Sequence, residues 1–346
     1  MFIYILLDCL EKIKAERTIY NIFHLLTAKK ATQTIQDSHL YGLTRYYGIA
    51  RTLKREQFDQ EIKSMIEQGF ICMSEEQKAL LTEKGRNEAK GLHDQYQSVL
   101  FLDGAGFHQS GQQFSQHLLL FIQTLTHLHQ GNTRFVPIVE DVEAQRFVKK
   151  LWQEVQPQST AAWLEQLYQE LHRMLASYPE SMAGVLVDHL TSAKRVGLST
   201  YQIATKYQLA PLDVSLIYTN MMHAMCQTVI DTEDFPVLSR LYPHHPATLM
   251  ISASAKKTNQ LLHQQLTIDQ MADIRHLKAN TIMDHIVEIA YHSKQVAWQT
   301  FMTDDEYQQI SQVLHGLRSR KLKTIKENLP EQISFFQIKL VMALER

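Results

Sequence analysis

Two stretches of this chain, LSTYQIATKYQLAPLDVSLIY at 198–218 and LTIDQMADIRHLKANTIMDHI at 266–286, align without a gap. Each opens on a capping-box pair, Ser199/Gln202 and Thr267/Gln270, in which the hydroxyl takes an orphan backbone N–H and the Gln side chain reaches back to the cap. A large and a small apolar residue follow, Ile203-Ala204 and Met271-Ala272; Leu209 and Leu277 mark a turn, and Val214 and Ile282 fall inside a second helix. That order is what two closely crossing helices require. One contact position must be small, a leucine from the turn fills the gap, and a β-branched residue of the second helix packs beneath it. The spacing predicts a helix-turn-helix unit in each copy, although a tightly crossed helical hairpin without any reading role would carry the same marks.

The rest of the chain reads as helical too, since 346 residues contain only 12 Gly and 8 Pro to break helices. Apolar residues recur at helical spacing over 3–27, HLYGLTRYYGI at 39–49 is punctuated by glycine, and KREQFDQEIKSMIEQGF forms a helix that Gly69 stops. FICM, the turn SEEQ and KALLT read as two short strands, with Thr82 capping the next helix. Helices followed by a small hairpin are the order of a winged helix. DGAGFHQSG at 103–111 reads as a loop, without the strand that a phosphate-binding loop needs. Helices are expected over 112–130, 139–155, 160–176 and 180–195, with an extended connector at Pro137 and a hinge or linker at 241–250. The expected fold is therefore mainly α: a winged-helix domain with a small β-wing at 1–95, a helical middle domain with a helix-turn-helix-like unit at 96–242, and a helix-turn-helix domain at 250–346.

Charge limits what such a chain can bind and how. The formal net charge is −1, so nucleic acid would be met by local patches and not by the whole surface. In the second copy Lys278, Asn280, Met283 and Asp284 fall on the face away from the core; Lys can neutralise a phosphate, and Asn and Asp can bond base edges. The equivalent face of the first copy, Ala210, Leu212, Ser215 and Leu216, is mostly apolar and suits packing. A second candidate patch is RSRKLKTIK, which places Arg318, Arg320, Lys321, Lys323 and Lys326 around a helix seeded by the capping box Thr303/Glu306; a solvated basic face is the plainer reading of it. A third comprises Arg45, Arg51, Lys54 and Arg55 before and at the start of the winged-helix recognition helix, with Lys84 and Arg86 after the wing.

Other chemistry finds no foothold. The 17 His form no HExxH or comparable ligand set, and the three Cys lie far apart, so no metal or cofactor is expected. A Walker A lysine loop, GxSxG and a Cys/His nucleophile motif are all missing, and no catalysis is expected. MFIYILLDCL is too short for a membrane span and lacks the marks of a signal peptide, so a cytoplasmic protein, free or associated with the nucleoid, is expected without a membrane partner.

ERTIYNIFHLLTAKKATQTIQDSHLYGLTRYYGIARTLKREQF, with LTEKG further on, resembles the amino-terminal part of the YpbB proteins of Gram-positive bacteria. IRHLKANTIMDHI resembles the helicase helix-turn-helix domain that ends those proteins and some RecQ-type helicases, and HLYGLTRYYGI with KREQFDQEIKSMIEQGFI is similar to the winged-helix (RQC) module of RecQ helicases. The resemblance implies a non-catalytic protein working beside a RecQ-type helicase. It carries DNA contact to Lys278, Asn280 and Thr281, and more loosely to Arg55 and Lys84. Two positions depart from the common helix-turn-helix pattern: Arg275 stands where a buried leucine is usual, and Lys278 where a serine cap is usual. Three functions fit: a DNA-binding accessory of a RecQ-family helicase in recombination or repair, acting on duplex or forked DNA; a helix-turn-helix transcriptional regulator; or a protein-interaction scaffold without DNA contact.

Overall fold

The computed structural model describes residues 1–155, 159–243, 251–293, 296–317 and 321–345. Among them the chain is mainly α-helical, with one two-stranded sheet. In chain order the elements are α1 (Phe2–Ile13), α2 (Ile19–Leu26), α3 (Thr32–Leu40), α4 (Arg55–Glu67), β1 (Ile71–Met73), β2 (Ala79–Leu81), α5 (Glu83–Tyr96), α6 (Gly104–Phe107), α7 (Ser110–His129), α8 (Val142–Val155), α9 (Thr160–Leu175), α10 (Glu180–His189), α11 (Thr200–Tyr207), α12 (Pro211–Asp231), α13 (Pro236–Leu241), α14 (Ala253–Leu262), α15 (Ile268–Arg275), α16 (Ala279–Ala290), α17 (Asp304–Gly316), α18 (Leu322–Glu327) and α19 (Phe335–Leu344). They gather into two compact units: Met1–Asp8, Arg45–Cys72 and Leu81–Pro246 in the first, Cys9–Thr44, Met73–Leu80 and Ala247–Arg346 in the second.

Helices α2, α3 and α4, then the β1–β2 hairpin and α5, follow winged-helix order. The punctuation is what the residues demand. Gly69 ends α4 in the left-handed region (φ +74°), and its N–H bonds the Ile66 carbonyl at 2.9 Å. The Thr82 hydroxyl accepts the Gly85 N–H at 3.0 Å, capping α5, and donates to the Gly69 carbonyl at 2.6 Å.

In the first unit α7 runs through the core, burying Phe114, Leu118, Phe121 and Leu125 while packing on α8, α9 and α12. One buried acid organises a helix start: the Glu170 carboxylate on α9 accepts the N–H groups of Val237 (3.0 Å) and Leu238 (2.9 Å), satisfying the orphan donors of α13. Two expectations are corrected here. Residues 103–111 are not a loop: Asp103 accepts the Gly106 N–H at 2.9 Å, so a side-chain cap starts the short helix α6, and α7 begins at Ser110. The helix expected over 180–195 stops at His189.

In the second unit α16 is central, packed by α14, α15, α19 and α3, while α17 and α18 lean on α19. Ile282, Ile286, Ile338 and Leu340 are fully buried there. The basic run is also corrected. The capping box Thr303/Glu306 does start α17, but that helix ends at Gly316 and a separate helix, α18, starts at Leu322. Lys326 Nζ donates to the carbonyls of Pro330 (3.0 Å), Glu331 (2.9 Å) and Ile333 (2.5 Å), so its charge is used inside the unit. Arg318 and Arg320, and most of the linker expected at 241–250, lie outside the described residues.

Candidate nucleic-acid interface

The two aligned stretches have the same local geometry. Ser199 caps α11 at φ −70°, ψ 159°, and Thr267 caps α15 at φ −70°, ψ 163°, each with both halves of its capping box formed. Each first helix ends on a non-glycine residue in the left-handed region, Gln208 (φ 55°, ψ 42°) and His276 (φ 50°, ψ 45°). The turn leucine then bonds back, Leu209 N–H to Ala204 O at 2.9 Å and Leu277 N–H to Ala272 O at 3.0 Å. Ala204 and Ala272 sit at the crossings, and Val214 and Ile282 are fully buried beneath them.

Away from the crossings the copies part. The second helix of the first copy, α12, is packed through its middle and makes contacts from its first turn onward. Asp213 accepts the Phe2 N–H at 2.8 Å, and Leu216 is fully buried. Asn220 clamps a strand of backbone, donating to Val99 O (2.8 Å) and accepting from Phe101 N–H (2.7 Å). A carboxylate locks α10 to α11: Asp188 accepts from Arg195 and Lys206, both at 2.6 Å. Burial pulls that carboxyl upward, but the hydrogen bonds from Lys206, Arg195 and Tyr207 outweigh it and hold the group below the usual carboxylate range.

The corresponding helix of the second copy, α16, starts on polar side chains. Lys278, at its amino-terminal cap, and Asn280 are exposed; Thr281, Met283 and Asp284 are half-buried beside them. The structure thus brings five of the expected residues together on one helix start, where backbone N–H groups and the helix dipole already favour an anion. Asp284 is not idle: Lys339 Nζ on α19 donates to it at 2.9 Å, which removes an unpaired negative charge from this face. Lys321 and Lys323, in the same unit, are exposed at the start of α18.

The other expected residues lie in the first unit. Lys54 and Arg55 are exposed at the start of α4, with Arg55 Nε 3.7 Å from Asp59. Lys84 is tied down, donating to Gln68 O at 2.8 Å with its ammonium 5.3 Å from the centre of the Phe70 ring. The tip of the hairpin, in the second unit, is likewise held: the Gln77 carbonyl accepts the Ile19 N–H at 3.0 Å, and Lys78 pairs with Glu76.

Residues that sequence reasoning missed form the support of α16. Arg275 donates to Ser254 O (3.0 Å), Ser254 Oγ (3.0 Å) and Thr258 Oγ1 (2.7 Å), joining α15 to α14. Thr258 Oγ1 in turn lies 2.9 Å from His285 Nδ1, whose ring is pushed below its ordinary pKa by burial and then by Arg275. Glu288, fully buried on α16, accepts from the Ser252 backbone and hydroxyl and from Thr32 Oγ1 at 3.1 Å. Burial raises its carboxyl, and those hydrogen bonds only partly offset it. An arginine where leucine is usual was the one visible signal of this polar buttress. Among the described residues no cluster of His, Cys, Asp and Glu could hold a metal ion, and no helix is long and apolar enough to cross a membrane.

With two capped, alanine-crossed helix pairs, one of them presenting Lys278 and Asn280 at the start of its second helix, the chain carries helix-turn-helix architecture. A helix-turn-helix domain family model matches residues 254–342. Along nearly its whole length the chain is similar to Protein YpbB of Bacillus subtilis (strain 168), with 28% identity over 337 residues, 97% of this chain and 95% of that one. The resemblance to the YpbB proteins, expected over nearly the whole chain, is thus borne out. No solved structure matches the chain.

Proposed function

We propose that this protein is a non-catalytic DNA-binding accessory of a RecQ-type helicase, acting in recombination or repair in the cytoplasm, at the nucleoid. The observation that carries the DNA-binding part is the contrast between copies: α12 starts on Ala210, Pro211 and Leu212, which offer no side-chain donor, whereas α16 presents exposed Lys278 and Asn280 on a helix start. Lys278 meets a phosphate, Asn280 and Thr281 address base edges, and Lys321 and Lys323 add phosphate contacts, with Arg318 and Arg320 beside them in sequence. Lys54, Arg55 and Lys84 form a weaker, separate patch. The helicase partner is supported by likeness to YpbB and by the RecQ-like segments.

Replacing Lys278 and Asn280 together by Ala should weaken binding to fork and duplex DNA while leaving the melting curve unchanged. Loss of one phosphate contact lowers the salt slope by about one, and loss of a base-edge contact costs roughly 1–3 kcal/mol. Fluorescence anisotropy at several salt concentrations measures both. A double variant that binds like the parent would make α16 a packing element and favour the scaffold reading, for which the packing contacts of α12 are a precedent. Purification of the tagged chain from its host checks the partner; RNA polymerase in place of a helicase would favour a regulator.

The domain limits 1–95, 96–242 and 250–346 belong to the same proposal. Expressed alone, 250–346 should melt cooperatively with a helical circular dichroism spectrum. A melt that becomes cooperative only when 9–44 is supplied would move the boundary, because Thr32 on α3 is a partner of buried Glu288.

A further inference from the structure

Helix α12 borders a cavity inside the first unit. It has a volume of about 240 Å³ and lies between the 48–52 turn, α7 and α12. Leu212 and Ser215, which occupy reading-face positions of the helix-turn-helix pattern, are part of its wall.

Its chemistry is one-sided. None of the residues lining it is Asp or Glu. Arg51 stands exposed at the rim, and its hydrogen-bond partner is an uncharged one, Gln112 Oε1 at 3.2 Å. Inside is His223, 2% exposed. The Asp103 N–H donates to His223 Nδ1 at 3.1 Å, so that nitrogen carries no hydrogen and the neutral ring bears its proton on Nε2. Nε2–H makes no hydrogen bond to any described residue, although the ring is almost wholly buried in the cavity wall. The ring forms part of the cavity wall, so this donor is available to a ligand held there. Gly111 preserves the space beside it, since a Cβ there would come within 3.0 Å of His223 Cδ2. The rest of the wall includes Ile49, Leu212 and Met222, which offer apolar surface.

We infer that this cavity is a binding site for a small organic carboxylate with an apolar body, its anionic head held by Arg51 and the Nε2–H of His223. One guanidinium and one neutral imidazole suit a carboxylate monoanion; a phosphate dianion calls for more donors. The volume is below the roughly 300–1,000 Å³ of drug-sized sites, so the occupant is of small-metabolite size. The site is independent of α16 and of the DNA-binding reading.

The test uses the full chain with ¹⁵N-labelled histidine, titrated with sodium benzoate and, separately, with inorganic phosphate. Benzoate should bind saturably and move the His223 Nε2 resonance. Arg51→Met, at an exposed position, should leave folding intact and weaken benzoate about ten- to a hundredfold, the worth of a charged hydrogen bond. Leu212→Trp, which fills the space, should abolish binding. Three results would overturn the assignment: no saturable binding of benzoate, equal affinity in Arg51→Met, or phosphate bound as well as benzoate, which would mark a bare charge contact without an apolar pocket.

Discussion

Acidification is expected to cost the first unit on the order of 4–5 kcal/mol of stability between pH 6.5 and about 3, through His223. Burial, and then the neighbouring His108, push this ring from 6.5 down to about 3, so the folded chain binds fewer protons than the unfolded one across that window. The contribution is fully present above the unfolded value and is lost as the pH falls toward the folded one. Against a typical total of about 5–15 kcal/mol, a loss of that size is enough to unfold a marginal domain. Asp188, held below the usual carboxylate range, adds a smaller loss in the same direction at the acid end. Urea unfolding followed by tryptophan fluorescence checks this, since Trp152 and Trp163 both report from this unit. His223→Asn keeps an acceptor for the Asp103 N–H and removes the titration. The variant should start less stable at neutral pH yet lose less on acidification, and an unchanged slope would show that the acid sensitivity lies elsewhere.

The second large effect belongs to the helix crossing. Ile282→Ala should destabilise the second unit by about 2–5 kcal/mol, because the side chain is fully buried in the same apolar cluster as Met271, Ala272 and Ile286, and the surrounding helices cannot close over the space. Thermal unfolding monitored at Trp298 measures the loss, and DNA binding should fail only at temperatures where the unit has melted. This separates support from contact: on the proposed reading the Lys278/Asn280 double variant should change affinity at constant stability, whereas Ile282→Ala should change stability first. A drop in affinity well below the melting temperature would contradict the division.

The helix pairs were legible because their signals are local. A capping box, a small residue at the crossing and a turn leucine lie within a few positions of one another, and each was found where the spacing put it. Glu288 was not legible, since a charged residue on a helix reads as solvated until partners 36 and 256 positions away close around it. The same holds for Asp284, whose counter-charge Lys339 comes from a helix 55 residues further on. The helix start at Asp103 was hidden by its two glycines, which argue for a loop although the aspartate side chain caps the turn. For the basic run the error was one of continuity: charge and apolar spacing persist past Gly316 while the helix does not.

The elbow residues Gln208 and His276 bear on how the second copy would meet a partner. A glycine there would sample both hands of backbone space in the unfolded chain and flex more readily in the folded one. A side-chain-bearing residue, held at φ 50° by the bond from Leu277 to Ala272, leaves the angle between α15 and α16 little freedom. Recognition by such a joint is close to rigid-body docking: α16 is already aimed, so little conformational entropy is given up on association and dissociation need not wait for a turn to reorder.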